Sequence, residues 1–359
     1  SSDGITLRHL AFQTSIEAAS ISNSNSPTSF ENCVFSGTSP GSLFIDTSDG
    51  CILQNCVFEG LVLVDASANC IIDGCEFYSN LSISDARNIR VLNNNLSSET
   101  SSNDQLGIVV MAGDLGQALF ANNLVSSSIA SPMYISNCDC DPNENIEVFN
   151  NIFTSESDLT SILLNNATRV QLIYNTVRAD AGIALSVLGS SDIQVINNVL
   201  ESETSNAAEF SDSSLQIVVR NNIFHSETST GVQGYDSVED FNSDPEQVAF
   251  DNIGIDPMLD DAGHFITNQE ALGFALALTD LTTDFYGDLR DSVTPTCGAI
   301  ETSFTGDTPG DFNGDGIVGA ADLLVLLSNI GCTGDCGLAD LDGDGVVGIG
   351  DLLILLGLI

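Results

Sequence analysis

Apolar and polar positions over the first 226 residues alternate in short runs, and each run ends on the same four-residue signature. A stretch such as Leu215-Gln-Ile-Val-Val-Arg220 leads into Asn221-Asn222, and an apolar pair, Ile223-Phe224, closes the copy. The closing residues are Phe12, Phe35, Phe58, Phe77, Leu96, Val125, Phe153, Val177, Leu200 and Phe224, spaced 19 to 29 residues apart. Alternation at period two, as in Ile146-Glu-Val-Phe149 and Ile193-Gln-Val-Ile196, is the pattern of a strand with one face inward. A recurrence of this length, with the spare residues falling between copies, predicts a solenoid. One copy cannot bury its apolar face alone, so neighbours stack.

The position two before each closing residue forms a nearly continuous column: Leu10, Cys33, Cys56, Cys75, Asn94, Asn123, Asn151, Asn175, Asn198, Asn222. An asparagine at a bend tolerates left-handed backbone, and its amide reaches the equivalent amide one coil above and below. The Asn-Asn-apolar-apolar motif resembles that of the right-handed parallel β-helix repeat proteins, a class that includes polysaccharide lyases, some glycosidases, adhesins and viral fibre proteins. The resemblance covers residues 1–226 and implies an all-β, right-handed parallel β-helix solenoid of about ten or more coils. It says almost nothing about chemistry.

Residues 13–30, 97–107, 126–145 and 201–214 are dominated by Ser, Thr, Asn, Asp and Glu and read as loops protruding from the coils. Residues 227–302 hold Asp256-Pro-Met-Leu259, Asp284-Phe-Tyr-Gly287, Arg290 and Gly298-Ala-Ile-Glu301, and resemble the closing segment of secreted bacterial β-helix proteins. They are expected to supply the final coil or coils and a C-terminal cap, although Ala271-Leu-Gly-Phe-Ala-Leu-Ala-Leu278 stands where that segment usually has Ser-Pro-Ala-Ile-Asp. Residues 303–310 read as a linker. At the other end, Ile5-Thr-Leu-Arg8 already aligns with a coil strand, with no amphipathic cover before it. Either further coils precede it or this edge pairs with another chain.

Charge narrows the functional classes. Fifty acids stand against seven basic residues, all arginine, for a formal net charge of −43. Nucleic acid needs dense positive charge, so it is excluded as a partner, and anionic membranes and acidic polysaccharides are disfavoured. No apolar run is long enough to span a bilayer. Ser1 is not an initiating residue, which leads to the expectation that a leader has been removed or that the chain belongs to a longer one. Together these features predict a secreted or cell-surface protein.

Of the ten cysteines, Cys33, Cys56 and Cys75 form one ladder and Cys51 and Cys70 another. They read as inward thiols stacked in the core. Strand spacing of ~4.8 Å also leaves disulfides open there. Cys138-Asp-Cys140 reads as a polar loop with a local bridge, Cys332 and Cys336 as a disulfide pair, and Cys297 as partnerless.

The last segment, 311–359, spells out a site. Asp311-Phe-Asn-Gly-Asp-Gly-Ile-Val-Gly-Ala-Ala-Asp322 puts Asp311, Asn313, Asp315 and Asp322 at loop positions 1, 3, 5 and 12, with glycine at 6. Asp340-Leu-Asp-Gly-Asp-Gly-Val-Val-Gly-Ile-Gly-Asp351 repeats this with Asp340, Asp342, Asp344 and Asp351. Such spacing wraps hard oxygen ligands around calcium, with the position-7 carbonyls of Ile317 and Val346 added and water at position 9, where Gly319 and Gly348 offer no side chain. Two Ca2+ ions are therefore expected. An apolar helix follows each loop, and the pair resembles the dockerin type I module of secreted bacterial proteins. Dockerin recognition usually uses hydroxyl residues at positions 10 and 11, whereas this chain has Ala320-Ala321 and Ile349-Gly350, which argues against a cohesin partner.

Catalytic groups are sparse. There is no Trp, no Lys and no basic groove of the kind lyases need, and His9, His225 and His264 read as separated surface or coil-edge singles. The reading is a calcium-stabilised β-helix protein with a structural, adhesive or surface-interaction role. Its expected partners are copies of itself at the solenoid ends and an extracellular protein or glycan. The alternative is a carbohydrate-active enzyme, a glycoside hydrolase with clustered aspartates or a polysaccharide lyase, carrying a dockerin-like module.

Overall fold

The computed structural model describes residues 5–14, 17–22, 27–37, 41–98, 107–138, 140–211, 213–244, 248–260, 263, 265, 271–302, 310, 312, 318–332, 339, 341 and 345–358. They form two compact units, 1–257 with 273–301, and 258–272 with 302–359.

The first unit is a solenoid of three parallel sheets. One has 11 strands, from Ile5–Arg8 to Val248–Phe250; one has 10, from Ala11–Thr14 to Ile223–Ser226; one has 9, from Glu17–Ser22 to Ala208–Phe210. Neighbours in each sheet are successive coils in register, so Ile146, Val170, Ile193 and Ile217 stand in one file. Inward files are mainly apolar and buried, although Ser127, Ser155 and Ser202 also face inward in the second sheet. In the second sheet Phe12, Phe35, Phe58 and Phe77 stack with ring centroids 4.8–4.9 Å apart, which matches the rise between strands.

The third sheet corrects the sequence reading. The stretches 13–30, 126–145 and 201–214, expected to protrude, contain Glu17–Ser22, Ser131–Ser136 and Ala208–Phe210, three of its strands. Hydroxyls on the outward face dilute the pattern, yet Met133 and Ile135 still point into the core. Nine successive coils therefore have three strands each among the described residues.

The bends explain the double asparagine, because each member does a separate job. The first holds left-handed backbone: Asn32, Asn55, Asn93, Asn122, Asn150, Asn197 and Asn221 have φ between 52° and 60°. Asparagine reaches this region at less cost than other residues with a Cβ. The second points inward and forms the ladder. Asn175 Oδ1 accepts from Asn151 N and Nδ2, both at 3.0 Å, while its Nδ2 donates to Asn198 Oδ1 at 3.0 Å and to the Val148 carbonyl at 2.9 Å. The ladder runs from Asn94 through Asn222 to Asn252, one rung beyond the repeat visible in the sequence. Below Asn94 the thiols take over: Cys75 N donates to Asn94 Oδ1 at 2.8 Å and Cys56 N to Cys75 Sγ at 3.4 Å.

A second bend follows the third sheet. Thr47, Ala66, Asp85, Asn137 and Asn166 carry positive φ there, each followed by a small buried residue: Ser48, Ser67, Ala86, Cys138 or Ala167. Cys138 is thus a core thiol at a bend, and burial pushes its pKa up to about 12. Cys138 and Cys140 are both buried thiols outside any disulfide, which corrects the expected local bridge. Cys33, Cys51, Cys56, Cys70 and Cys75 are free and buried, as stacked thiols should be.

A strap, residues 273–301, runs back along the first bend column. Asn221 Nδ2 donates to Phe274 O at 3.2 Å, Asn197 Nδ2 and Tyr174 OH to Leu276 O at 2.8 Å each, and Asn150 Nδ2 to Thr283 O at 2.8 Å. Arg290 locks it. Its guanidinium lies 3.8 Å from the Tyr174 ring centroid, donates to Asn150 Oδ1 and to the Gly298 and Ala299 carbonyls, and pairs with Glu301 at 3.3 Å. The helix Val238–Ser243, N-capped by Ser237, seats Phe241 against Phe210 and Phe224 in the solenoid core.

The second unit has two helices, Ala320–Asn329 and Ile349–Leu356, around a small core of Phe312, Leu326, Ala339, Val347 and Leu355. Cys332 is disulfide-bonded, and its expected partner Cys336 lies outside the described residues.

Truncating one rung of the amide ladder strands several buried groups at once. Asn175→Ala is expected to lower folding stability by about 2–4 kcal/mol, while the outward Thr154→Ala changes it by less than about 0.5 kcal/mol. Denaturant melts of the two variants check this.

Candidate functional site

The outward face of the second sheet carries a polar file built by register alone. Ser97, Ser126, Thr154, Arg178, Glu201 and His225 occupy equivalent positions on six successive coils. The residue before each one on its strand, from Leu96 to Phe224, is apolar and buried, so alternation turns these side chains out. Beside the file lies an open cavity of about 500 Å3, lined by hydroxyls of Ser97, Ser126 and Thr154 and by Glu156, Arg178 and Asp180.

At the far end three donors converge. Ligand atoms of Glu201, His225 and Asp256 all lie within 4.8 Å of one another. Asp256 arrives because Ile253 bridges to Ile223 in parallel, which brings the following turn alongside the Ile223–Ser226 strand. His225 Nε2 is 3.9 Å from Asp256 Oδ1, and Arg178 Nε is 3.1 Å from Glu201 Oε2. Burial raises the Glu201 pKa above the ordinary glutamate range, with Arg178 and His225 opposing the shift. None of these three was singled out as a site in the sequence. His225 reads there as an isolated coil-edge residue, because its partners lie 24 and 31 positions away (225 − 201 and 256 − 225). The only available signal was the repeat register, which puts 201 and 225 on one file.

A second cavity, of about 540 Å3, lies under the strap and is mostly apolar, with Tyr174, Leu278, Leu281 and Leu289 among its walls. Arg290 at its edge is consumed by the strap lock described above.

In the second unit Asp322, Val346 and Asp351 are described, whereas Asp311, Asn313, Asp315, Ile317, Asp340, Asp342 and Asp344 lie outside the described residues. Asp322 and Asp351 behave alike. Asp322 accepts from Phe312 N at 2.7 Å and Gly319 N at 2.8 Å; Asp351 accepts from Leu341 N and Gly348 N, both at 2.7 Å. These donors stand at positions 2 and 9 of each twelve-residue loop. Both carboxylates are buried, and each sits in the first turn of the helix that follows its loop.

The Glu201 shift can be read directly. Its raised pKa means that the protonated form is favoured on folding, a contribution present below the unfolded pKa and lost as pH rises through the folded one. In carboxyl-carbon NMR, Glu201 is expected to titrate above ordinary glutamates, and Arg178→Ala to move it higher still.

A family model supports the architecture of the repeat region. A model of the family described as "Right handed beta helix region" matches residues 99–244. No curated protein matches the chain. Among solved structures, tailspike protein 3 of bacteriophage CBA120 is similar at 12% identity and a TM-score of 0.35, over 64% of this chain and 49% of that one. The match thus spans about half the length of that tailspike. The repeat region of this chain is a parallel β-helix.

Proposed function

We propose that this chain is a secreted, calcium-stabilised β-helix protein with a structural and surface-attachment role. Its outward groove meets a neutral, hydroxyl-rich polymer such as a glycan. The observation that carries this reading is the groove itself: serine and threonine hydroxyls held in fixed register by the ladder, with carboxylates and one arginine at one end. A hydroxyl file on a rigid sheet offers many directional hydrogen bonds without side-chain ordering cost. The net charge of −43 turns away anionic polymers. Self-association through the solenoid ends is part of the same role.

Calcium belongs to the reading through the tail. The residues that would hold two ions are Asp311, Asn313, Asp315, Ile317 and Asp322, and Asp340, Asp342, Asp344, Val346 and Asp351. The matched burial and hydrogen bonding of Asp322 and Asp351 fit such a use, because each pins its loop back onto the final ligand position. A bound ion would gather carboxylates that otherwise repel, so metal binding and folding of this unit are coupled.

A second reading, a carbohydrate-active enzyme, is favoured by the raised Glu201 carboxyl, which pairs with Arg178 in the wall of the groove that also holds Glu156 and Asp180.

Removing calcium with a chelator is expected to lower the helical signal of the tail and its melting temperature; unchanged values would sink the calcium assignment. A panel of neutral glycans, scored for both retention and chain shortening, separates the two readings. Retention without shortening, weakened by Thr154→Ala with Ser126→Ala, supports attachment, and shortening abolished by Glu201→Gln supports the enzyme.

A further inference from the structure

Glu201, His225 and Asp256 do more than decorate the end of the groove. We propose that they form a binding site for one borderline divalent transition metal, with zinc the best match, separate from the calcium loops of the tail.

The donor set argues first. One imidazole nitrogen with two carboxylate oxygens suits zinc and its neighbours, whereas calcium and magnesium take oxygen ligands alone. Geometry argues next. Around zinc, ligand bonds of about 2.0–2.2 Å place donor atoms roughly 3.3 Å apart in a tetrahedron. Here all three donors already fall within 4.8 Å, and the His225 Nε2 to Asp256 Oδ1 separation of 3.9 Å is too long for a hydrogen bond. Small side-chain rotations, with no backbone movement, close the remaining gap.

Backbone placement is prepaid. Glu201 and His225 sit on adjacent strands at paired positions, and the Ile223–Ile253 bridge presents the third ligand. A fourth position stays open to water or a ligand atom from the groove. The Glu201 carboxylate has two oxygens, so one holds Arg178 while the other turns to the metal, and the arginine then orients the ligand. Glu201 and Asp256 together carry two negative charges against the one positive charge of Arg178, and a divalent ion offsets the excess. A cavity of about 210 Å3 borders His225, and its walls include Asp236 and Glu239, which gives the imidazole acidic surroundings that attract cations. The bound ion would staple two coils to the segment after the last coil, and stabilise the chain by mass action.

The test uses the full chain, stripped of metals and held in excess calcium so that the tail loops do not compete. Titration with zinc chloride is followed by calorimetry and thermal melting. The native chain is expected to bind one more equivalent of zinc than His225→Ala, and to gain melting temperature that the variant does not. Asp256→Asn, at a side chain 55% exposed and therefore harmless to folding, is expected to weaken that equivalent by at least about tenfold. Equal stoichiometry and affinity in the native chain and Asp256→Asn, or no zinc uptake by the native chain, would overturn the site. If His225→Ala fails to fold, Asp256→Asn decides alone.

Discussion

Everything in the solenoid depends on closing a sharp bend inside an apolar core without leaving peptide groups unpaired. The inward asparagine does this by carrying a donor and an acceptor on one short side chain. An interior rung such as Asn175 donates to backbone carbonyls of its own coil and the coil before and to the amide oxygen of the next rung, and accepts from the rung before, so Asn94 to Asn252 form one continuous chain of amides. Because a side chain must meet its equivalent one coil on, the ladder also holds register. A slip of one residue would turn every apolar side chain outward. The fixed spacing of Ser126, Thr154, Arg178, Glu201 and His225 on the outer face follows from that constraint.

The strap exploits the same column from outside. The first asparagines of the bends are held left-handed and turn their amides toward solvent, where Asn150, Asn197 and Asn221 meet backbone groups of residues 274–283. Burying Arg290 and Glu301 is costly: burial lowers the arginine pKa and raises the glutamate pKa, so desolvation exceeds their mutual attraction. The pair persists because the guanidinium also gains backbone carbonyls, the Asn150 amide and the face of Tyr174. Its contribution is to hold the strap in one arrangement. The remaining arginines near acids, such as Arg8 with Glu31 and Arg87 with Asp114, are largely exposed and contribute little each.

How far this was legible varies with the range of the interaction. The Asn-Asn column announces the bend because both jobs, left-handed backbone and inward amide, are local and favour one residue type. The second bend is nearly silent. Serine, alanine and cysteine all fit behind Thr47, Ala66, Asp85 and Asn137, so no single letter recurs. That is why Cys138 looked like a loop residue while sitting in the core. The third sheet was hidden for a related reason, since serine-rich outward faces resemble loops when the inward file is short. The loop spacing from Asp311 to Asp322 and from Asp340 to Asp351 can be read from sequence because it lies in contiguous stretches.

By itself, then, the sequence determined that the chain coils and where its first bend falls, since both rest on neighbours in the chain or on a strict repeat. Tertiary structure alone decided that there are three sheets, that residues 273–301 return along the bend column, and that Glu201, His225 and Asp256 meet. Variable coil lengths, from 19 residues upward, place such partners at separations that no fixed pattern encodes, and only the stacked backbone brings them together.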